Sequence, residues 1–288
     1  MKVRFLIALL IVMFTASCVR EKDKLTKQLH FCQSVLPYHD GLLIANFGSD
    51  NYNPLNNEGK GYIAFHQDGL TSILIPADGT LSAPKGMAVK DDFLFVADVN
   101  KVVVYNLKNS SETPQIIPFP EDNVWVSDVE IVGNVLLASV TNTGNIYALD
   151  IAHPAQIDVG SLAIYAVVPG ASALLVSDYH LFIGSSAMLD LPTESTVIYM
   201  IDDVTNPVIQ RVTHRSGSYE GLALSADREA LYFSDKSEKI LGKFIFATGE
   251  IEILPTKMTF DAPTHLDWYN GKLSVADVTT STVWLLEL

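Results

Sequence analysis

One phrase recurs along this chain and restricts the folds that it can form. It consists of small or polar residues, a short apolar run, a turn and a second apolar run, which ends in an acid in its clearest copies. Those copies are Ala83–Val99, Tyr219–Asp235 and Ala262–Val278, and a looser one is Trp125–Val140. Repeats with a period of about 20–50 residues predict a solenoid or a propeller. Alternating β-branched runs separated by turn residues favour the propeller.

Six such units fit along residues 28–288, so we predict an all-β, six-bladed β-propeller of four-stranded antiparallel blades. The third blade is expected to end in an outermost strand at Gln156–Val159. The sixth unit lacks its outermost strand, which would leave an exposed sheet edge. We therefore expect Leu25–Phe31 to pair with Thr282–Glu287 and to close the ring. The long polar connection Gly48–Lys60 is either a solvated insertion or a cover over the channel mouth.

The N-terminus has the pattern of a secretory signal peptide over residues 1–17. Lys2 and Arg4 precede the apolar run Phe5–Phe14, and small residues lead into Cys18. This junction resembles the lipobox of bacterial lipoproteins, in which the cysteine is lipidated. The alternative is ordinary signal cleavage nearby with Cys18 incidental. The lipobox interpretation predicts a lipidated Cys18, a polar tether over residues 18–27 and a protein held on the bacterial cell envelope, with the membrane as its partner.

Charge and cysteine content exclude some function classes. The formal net charge is −14, and removal of Met1–Ser17 with its two basic residues would make it −16. Such acidity argues against a nucleic-acid partner. Cys32 is the one cysteine beyond Cys18, so core burial rather than an intramolecular disulfide must stabilise the domain.

Three of the repeated segments resemble the propellers of the SMP-30/gluconolactonase family and related NHL-type proteins. They are Pro84–Tyr105, Glu220–Asp235 and Pro263–Val278. The resemblance implies a divalent ion, Ca²⁺ or another metal, held in the axial channel by Glu, Asn and Asp at the starts of innermost strands. It also implies hydrolysis of small lactones, because such an ion polarises a carbonyl or acidifies a bound water.

The corresponding positions of this chain depart from that metal-binding set. They carry Lys85, Ser127, Glu220 and Thr264, with Ser172 and either Gln33 or Ser34 completing the ring, and Asp128, His265 and Asn46 are expected within reach of the axis. In a functional interpretation, Glu220 and Asp128 are metal ligands and one of them is a general base. Lys85 then stabilises an oxyanion, and Ser127, Thr264, His265 and Asn46 contact the ligand. In a structural interpretation, Lys85 and Glu220 form an ion pair across the channel.

The remaining patterns favour architecture over chemistry. The repeated acids Asp98, Asp235 and Asp277 are predicted to accept backbone N–H groups in the turns that follow them. The tryptophans Trp125, Trp268 and Trp284 are predicted to pack between blades. We therefore expect an envelope-anchored propeller that binds a small ligand or partner at its axial channel without family-type catalysis. The alternative is a divalent-metal-dependent lactonase, so the question of enzymatic activity stays open.

Overall fold

Six four-stranded antiparallel sheets are arranged as the blades of a β-propeller in the described part of the chain. The computed structural model describes residues 23–187, 192–256 and 258–288. The predicted signal peptide (1–17) and Cys18 lie outside the described residues. Within those residues, no helix is both long enough and apolar enough to span a bilayer. The predicted fold class is confirmed.

The strands run in chain order from the axis outward within each blade, and the first strand, β1 (Lys24–Leu25), belongs to the last blade. Blade one comprises β2 (Cys32–Tyr38), β3 (Gly41–Asn46), β4 (Tyr62–Gln67) and β5 (Leu70–Ile75). Blade two comprises β6 (Met87–Lys90), β7 (Phe93–Asp98), β8 (Lys101–Asn106) and β9 (Gln115–Pro118). Blade three comprises β10 (Val126–Val132), β11 (Val135–Val140), β12 (Asn145–Asp150) and β13 (Ala163–Val167). Blade four comprises β14 (Ala171–Ser177), β15 (His180–Ser185), β16 (Ile198–Ile201) and β17 (Ile209–Arg211). Blade five comprises β18 (Tyr219–Leu224), β19 (Ala230–Asp235), β20 (Ile240–Ile245) and β21 (Glu250–Ile253). Blade six comprises β22 (Pro263–Tyr269), β23 (Lys272–Asp277) and β24 (Thr282–Leu286), with β1 as its outermost strand. Short 3₁₀ helices span Val159–Ser161 and Thr193–Ser195.

Ring closure follows the predicted pairing, but over fewer residues than predicted. Strand β1 pairs with β24, with Lys24 opposite Trp284 and Leu25 opposite Val283. The expected strand Leu25–Phe31 is wrong in extent because Gln28 and Phe31 have φ near +58° and +52°. Left-handed residues cannot continue an extended strand. The closing strand therefore lies in the segment that the sequence interpretation assigned to the tether.

The outermost strand of the third blade was also misplaced by the sequence. It lies at Ala163–Val167 rather than at Gln156–Val159. The side chain of Asp158 caps the 3₁₀ helix Val159–Ser161, and the N–H of Ile157 donates to Gln115 of the second blade at 3.0 Å. The cap and the contact to the preceding blade therefore engage the backbone N–H groups of Gly160 and Ile157, which are then not available for pairing with a neighbouring strand.

The apolar core lies between the blades. The described residues form six buried hydrophobic clusters, and each cluster is built from the facing sides of two consecutive blades, including the first and the last. Leu25 of the closing strand packs against the cluster between the last and first blades. Because every blade buries both of its faces, stability depends on the ring being complete.

The repeated acids stabilise the blades, as predicted, although their partners differ from those expected. The carboxylates accept backbone N–H groups that precede the innermost strand of the same blade. Asp98 accepts from Ser82 (3.0 Å) and Ala83 (2.6 Å), and Asp277 accepts from Asp261 (2.8 Å) and Ala262 (3.1 Å). Asp235 accepts from Ser218 (3.1 Å). Only Asp235 also accepts from the turn that follows it, at Ser237 and Glu238. Each acid therefore ties the end of the second strand to the start of the first.

Candidate ligand-binding channel

A bulge near the start of the innermost strands directs polar side chains toward the propeller axis. The pairing of innermost and second strands shifts register across Gln33, Ser127, Ser172–Ala173, Glu220 and Thr264–His265. In the second blade, the N–H of Lys85 and the carbonyl of Gly86 both bond to Ala97, which gives the same two-against-one geometry. A bulge turns a residue out of the regular alternation and re-aims its side chain.

The axis narrows at these bulges to a constriction that we call the neck, with a cavity volume of about 20 Å³. Its lining comes from all six blades and includes these predicted residues: Gln33, Ser34, Lys85, Ser127, Asp128, Ser172, Glu220 and His265. A volume of about 10–15 Å³ suffices for one water molecule. The neck thus has room for water and separates two larger chambers.

The upper chamber lies at the mouth of the channel and has a volume of about 270 Å³. It shares Trp125, Ser172 and Glu220 with the neck, and Tyr52 of the long 48–60 connection lines it. This connection therefore contributes to the wall of the mouth. Trp125 lines the channel instead of packing between blades, so that prediction was wrong for this residue. In contrast, Trp268 packs on Tyr232 of the neighbouring blade, as predicted.

Glu220 is the centre of a polar network in the upper chamber. Its carboxylate accepts from Lys236 Nζ at 3.2 and 3.3 Å, from Gln33 Nε2 at 3.2 Å and from Ser186 Oγ at 3.0 Å. Lys236 also donates to the hydroxyl of Tyr52 at 3.0 Å. Interaction with Glu220 and Tyr52 raises the pKa of Lys236 despite its burial, so this lysine is charged. Lys236 was not among the residues predicted to reach the axis, although it directly follows the repeated acid Asp235.

The predicted pair between Lys85 and Glu220 is wrong, because Lys236 occupies the place beside the carboxylate. Lys85 is buried, and its Nζ donates to the carbonyl oxygen of Ala83 at 3.1 Å and lies 5.9 Å from the ring centre of Phe47. Burial lowers the pKa of Lys85 to about 8, although the carboxylates of Asp98 and Glu220 act against this shift. Lys85 therefore lines the neck as a lysine that deprotonates more readily than usual.

Asp128 lies at the lower side of the neck and is held by the backbone. Its carboxylate accepts the N–H groups of Val129 at 2.9 Å and Leu174 at 2.8 Å. Burial raises the pKa of Asp128 to about 7 in spite of these two bonds. The carboxylate packs so closely on Gly86 that a Cβ at this position would overlap it. The Gly of the repeated phrase is thus required in the second blade by close approach.

Three predicted ligand-contacting residues are used mainly for architecture. Asn46 is fully buried, accepts the N–H of His30 at 3.0 Å and donates to the carbonyl of Ile44 at 2.9 Å. Thr264 donates to the carbonyl of Gln33 at 2.7 Å. The hydroxyl of Ser127 lies 2.5 Å from that of Thr141, although Ser127 does line the neck. Asn46 and Thr264 are absent from the lining of both the neck and the upper chamber.

Three buried polar atoms around the neck have no hydrogen-bond partner among the described residues. They are Gln33 Oε1, Ser34 Oγ and His265 Nδ1. Burial lowers the pKa of His265 to about 4, so its imidazole is neutral near pH 7 and one ring nitrogen is an acceptor. Buried polar atoms normally have partners. These three atoms therefore mark the neck as a place for a polar occupant.

A lower chamber of about 320 Å³ opens on the other side of the neck. It shares Asp128 and His265 with the neck and adds the carboxyl groups of Glu130 and Asp267. Burial raises the pKa of Glu130 to about 8 and that of Asp267 to about 6. Both residues follow a neck residue by two positions. Neither residue was predicted, although the period of two along a strand places each on the same face as the neck residue before it.

The residues on the axis do not fit the metal centre that the family resemblance implies. Glu220 is neutralised by Lys236, and Asp128 is engaged with two backbone N–H groups. Within the part of the chain that the structure describes, no three His, Cys, Asp or Glu side chains come close enough to share a metal ion. A hard divalent cation needs several free oxygen ligands. We therefore derive no reaction step through a metal.

Comparison with known proteins supports the fold and goes no further. No family model and no curated protein matches the chain. A structural genomics protein of unknown function from Bacteroides thetaiotaomicron VPI-5482 matches with a TM-score of 0.62 and 12% identity over 89% of this chain and 69% of that one. Catalytically inactive virginiamycin B lyase from Staphylococcus aureus, with quinupristin, gives 0.62 and 12% over 89% and 80%. The β-propeller domain of Myceliophteria_thermophila Cps50 (Swd1) gives 0.55 and 12% over 90% and 98%.

Proposed function

We propose that this chain is an envelope-anchored propeller lipoprotein that binds a small neutral ligand in its upper chamber, without metal-dependent catalysis. The observation that carries the proposal is the network around Glu220. Its carboxylate is already matched by one lysine and two further donors, so the chamber presents a fixed, charge-balanced set of polar groups. Such a set favours recognition of hydrogen-bonding groups over capture of an ion.

The lining of the chamber supports a ligand of monosaccharide size. Trp125 and Tyr52 supply aromatic surface, and Thr141, Ser186 and Ser218 add hydroxyl groups. A volume of about 270 Å³ lies just below the range of drug-sized small-molecule sites, roughly 300–1,000 Å³, and therefore suits a smaller ligand. Aromatic faces beside convergent polar groups suit a molecule with one apolar face and several hydroxyl or amide groups.

Tryptophan fluorescence during titration with glucose, N-acetylglucosamine and other monosaccharides tests the proposal. A saturable change is expected in the wild type, and Trp125→Phe should remove it. Trp268→Phe is the matched control, because Trp268 packs between blades and should leave the change intact. Lys236→Met should weaken binding at least about tenfold, because the pair with Glu220 would be broken. No response to any monosaccharide, or a response that survives Trp125→Phe, would argue against this site.

The lactonase alternative is tested separately through the metal that it requires. Thermal unfolding is measured with Ca²⁺, Mn²⁺ or Zn²⁺, because tight binding to the folded state raises the unfolding midpoint by mass action. Gluconolactone hydrolysis is followed under the same conditions. We expect neither a metal-dependent shift nor hydrolysis. A shift and hydrolysis that are both lost in Glu220→Gln would replace our proposal with the lactonase.

The anchor is tested on the full chain in a bacterial host. Lipidation at Cys18 predicts that the wild type partitions into the detergent phase of a membrane extract and that Cys18→Ser partitions into the aqueous phase. Mass spectrometry of the mature N-terminus supplies a second measurement. An aqueous wild type with an unmodified cysteine would contradict the anchor and would leave the ligand proposal to be judged by its own titration.

A further inference from the structure

We propose that the lower chamber is a second binding site, for a primary organic ammonium ion with an apolar body. The site lies at the end of the axis away from the mouth. Its ligand is a cation with an apolar body, whereas the ligand proposed for the upper chamber is neutral. The neck, at about 20 Å³, is too narrow for an organic molecule to pass between the chambers. The two sites are therefore independent.

Charge is the first argument. The chamber contains three carboxyl groups, Asp128, Glu130 and Asp267, and none of its described lining residues is a lysine or an arginine. Each of the three accepts backbone N–H groups: Glu130 accepts from Ile131 at 3.3 Å, and Asp267 accepts from Trp268 at 2.6 Å. None forms an ion pair within the described ranges. Burial without a counterion disfavours the ionised form of these carboxyl groups, and a bound cation would stabilise that form.

An unpartnered acceptor where the chamber meets the neck is the second, independent observation. His265 lines both the lower chamber and the neck, and its Nδ1 has no partner among the residues that the structure describes. Ser34 lines the adjoining neck and is only 1% exposed, and its Oγ also has no partner in the described part of the chain. Atoms of this kind call for N–H donors. A primary ammonium group provides three N–H donors, whereas a quaternary ammonium group provides none.

The walls decide between an organic cation and a metal ion. They are formed by leucine and other aliphatic side chains from all six innermost strands, among them Leu36, Leu174, Leu222 and Leu266. In addition, the three carboxyl groups do not converge closely enough to form a metal site among the described residues. A volume of about 320 Å³ with apolar walls and a polar end suits an alkyl chain that carries one charged head.

Isothermal titration with hexylammonium, hexyltrimethylammonium, 1-hexanol and hexanoate tests the site in the wild-type protein. The four probes share the alkyl chain and differ in charge and in N–H donors. Hexylammonium is expected to bind at least about tenfold more tightly than hexanol or hexyltrimethylammonium, and hexanoate is expected not to bind. Equal affinity for hexylammonium and hexanol would overturn the proposal, and this comparison needs no variant.

Variants then place the ligand in the chamber. Glu130→Gln and Asp267→Asn keep the side-chain shape and should each weaken hexylammonium binding about tenfold. Glu229→Gln removes the same charge from an exposed hairpin and is the matched control, with affinity expected to be unchanged. Circular dichroism and thermal unfolding verify that the variants fold. Unchanged affinity in both folded chamber variants would overturn the assignment, whereas failure of the monosaccharide titration would leave it intact.

Discussion

Among individual residues, the lysine that pairs with Glu220 determines the charge balance at the mouth of the channel. Two lysines lie near the axis, and each could have been its partner. Lys236 reaches both carboxylate oxygens, whereas Lys85 is directed to the carbonyl of Ala83. The pair is only partly accessible, with side-chain exposures of 22% for Lys236 and 12% for Glu220. Removal of one partner therefore leaves a charge that water only partly solvates.

We predict that Lys236→Met lowers the free energy of unfolding by about 1–3 kcal/mol, because the remaining, partly buried carboxylate loses its counterion. The unfolding midpoint should fall by about 2–10 °C in a chain of this size. The double variant Lys236→Met/Glu220→Gln should lose less unfolding free energy than the two single variants lose together. A double-mutant cycle in urea measures this difference. Lys60→Met, which breaks exposed pairs with Asp50 and Glu58, is the control and should leave the midpoint unchanged. Full additivity in the cycle would contradict the assigned pair.

At the scale of elements, a very short strand completes the last blade. Strand β1 has two residues, yet it covers the edge of β24 and brings Leu25 into the cluster between the last and first blades. Asp23, just before it, pairs with Lys272 at 3.1 Å. An uncovered edge strand exposes unpaired N–H and C=O groups and promotes association between molecules.

We predict that a chain beginning at Gln28 is less stable than a chain beginning at Asp23, because it lacks the closing strand. Loss of the partly buried Leu25 and of the strand pairing should cost about 2–3 kcal/mol, which corresponds to roughly 5–10 °C in the midpoint. Size-exclusion chromatography should also show more self-association of the shorter chain. The full chain serves as the reference, and its midpoint should equal that of the chain beginning at Asp23. Equal midpoints for the chains beginning at Asp23 and Gln28 would show that β1 does not stabilise the ring.

At the scale of the whole molecule, ring closure places three carboxyl groups at one end of the axis. Their pKa values of about 7 (Asp128), 8 (Glu130) and 6 (Asp267) lie above the ordinary values of 3.8 and 4.5 because burial disfavours the charged forms. The folded state therefore binds more protons than the unfolded state between about pH 4 and 8. Stability is consequently lost as the pH rises through this range.

Three other groups act near the borders of this window. Burial lowers the pKa of His265 to about 4 and also lowers the pKa of His66, so both histidines favour folding as the pH rises toward 6.5. Burial lowers the pKa of Lys85 to about 8, which favours folding as the pH rises above that value. Between pH 6.5 and 8, the carboxyl groups of Asp128 and Glu130 should dominate the pH dependence.

We predict that the unfolding midpoint of the wild type falls between pH 6.5 and 8 and that Glu130→Gln reduces this fall. At pH 8 the variant should be more stable than the wild type by at least about 1 kcal/mol, or about 2–4 °C. Calorimetry at several pH values measures both effects. Glu250→Gln removes an exposed carboxylate as a control and should keep the wild-type slope. An identical slope in Glu130→Gln would refute the link between burial of this group and stability.

The sequence predicted the blades well and the site in part. Most strands follow from local alternation and turns, whereas β13 was misplaced because the 3₁₀ helix at Val159–Ser161 depends on a cap and on a contact with Gln115 of another blade. Lys85, Asp128, Glu220 and His265 were correctly expected on the axis because the repeat aligns equivalent positions. Trp125 was missed as a channel residue because its orientation depends on the bulge beside it.

The repeated phrase by itself determined six radial sheets and the ring of positions that meet at the axis, because strand alternation and turn chemistry act over neighbouring residues. Two features became visible only in three dimensions: Lys236 is the lysine that neutralises Glu220, and Glu130 and Asp267 share a chamber that holds no counterion among the described residues. The physical reason is that charge pairing and burial depend on distances of a few ångströms between residues that are far apart in sequence. Closure of the ring sets those distances.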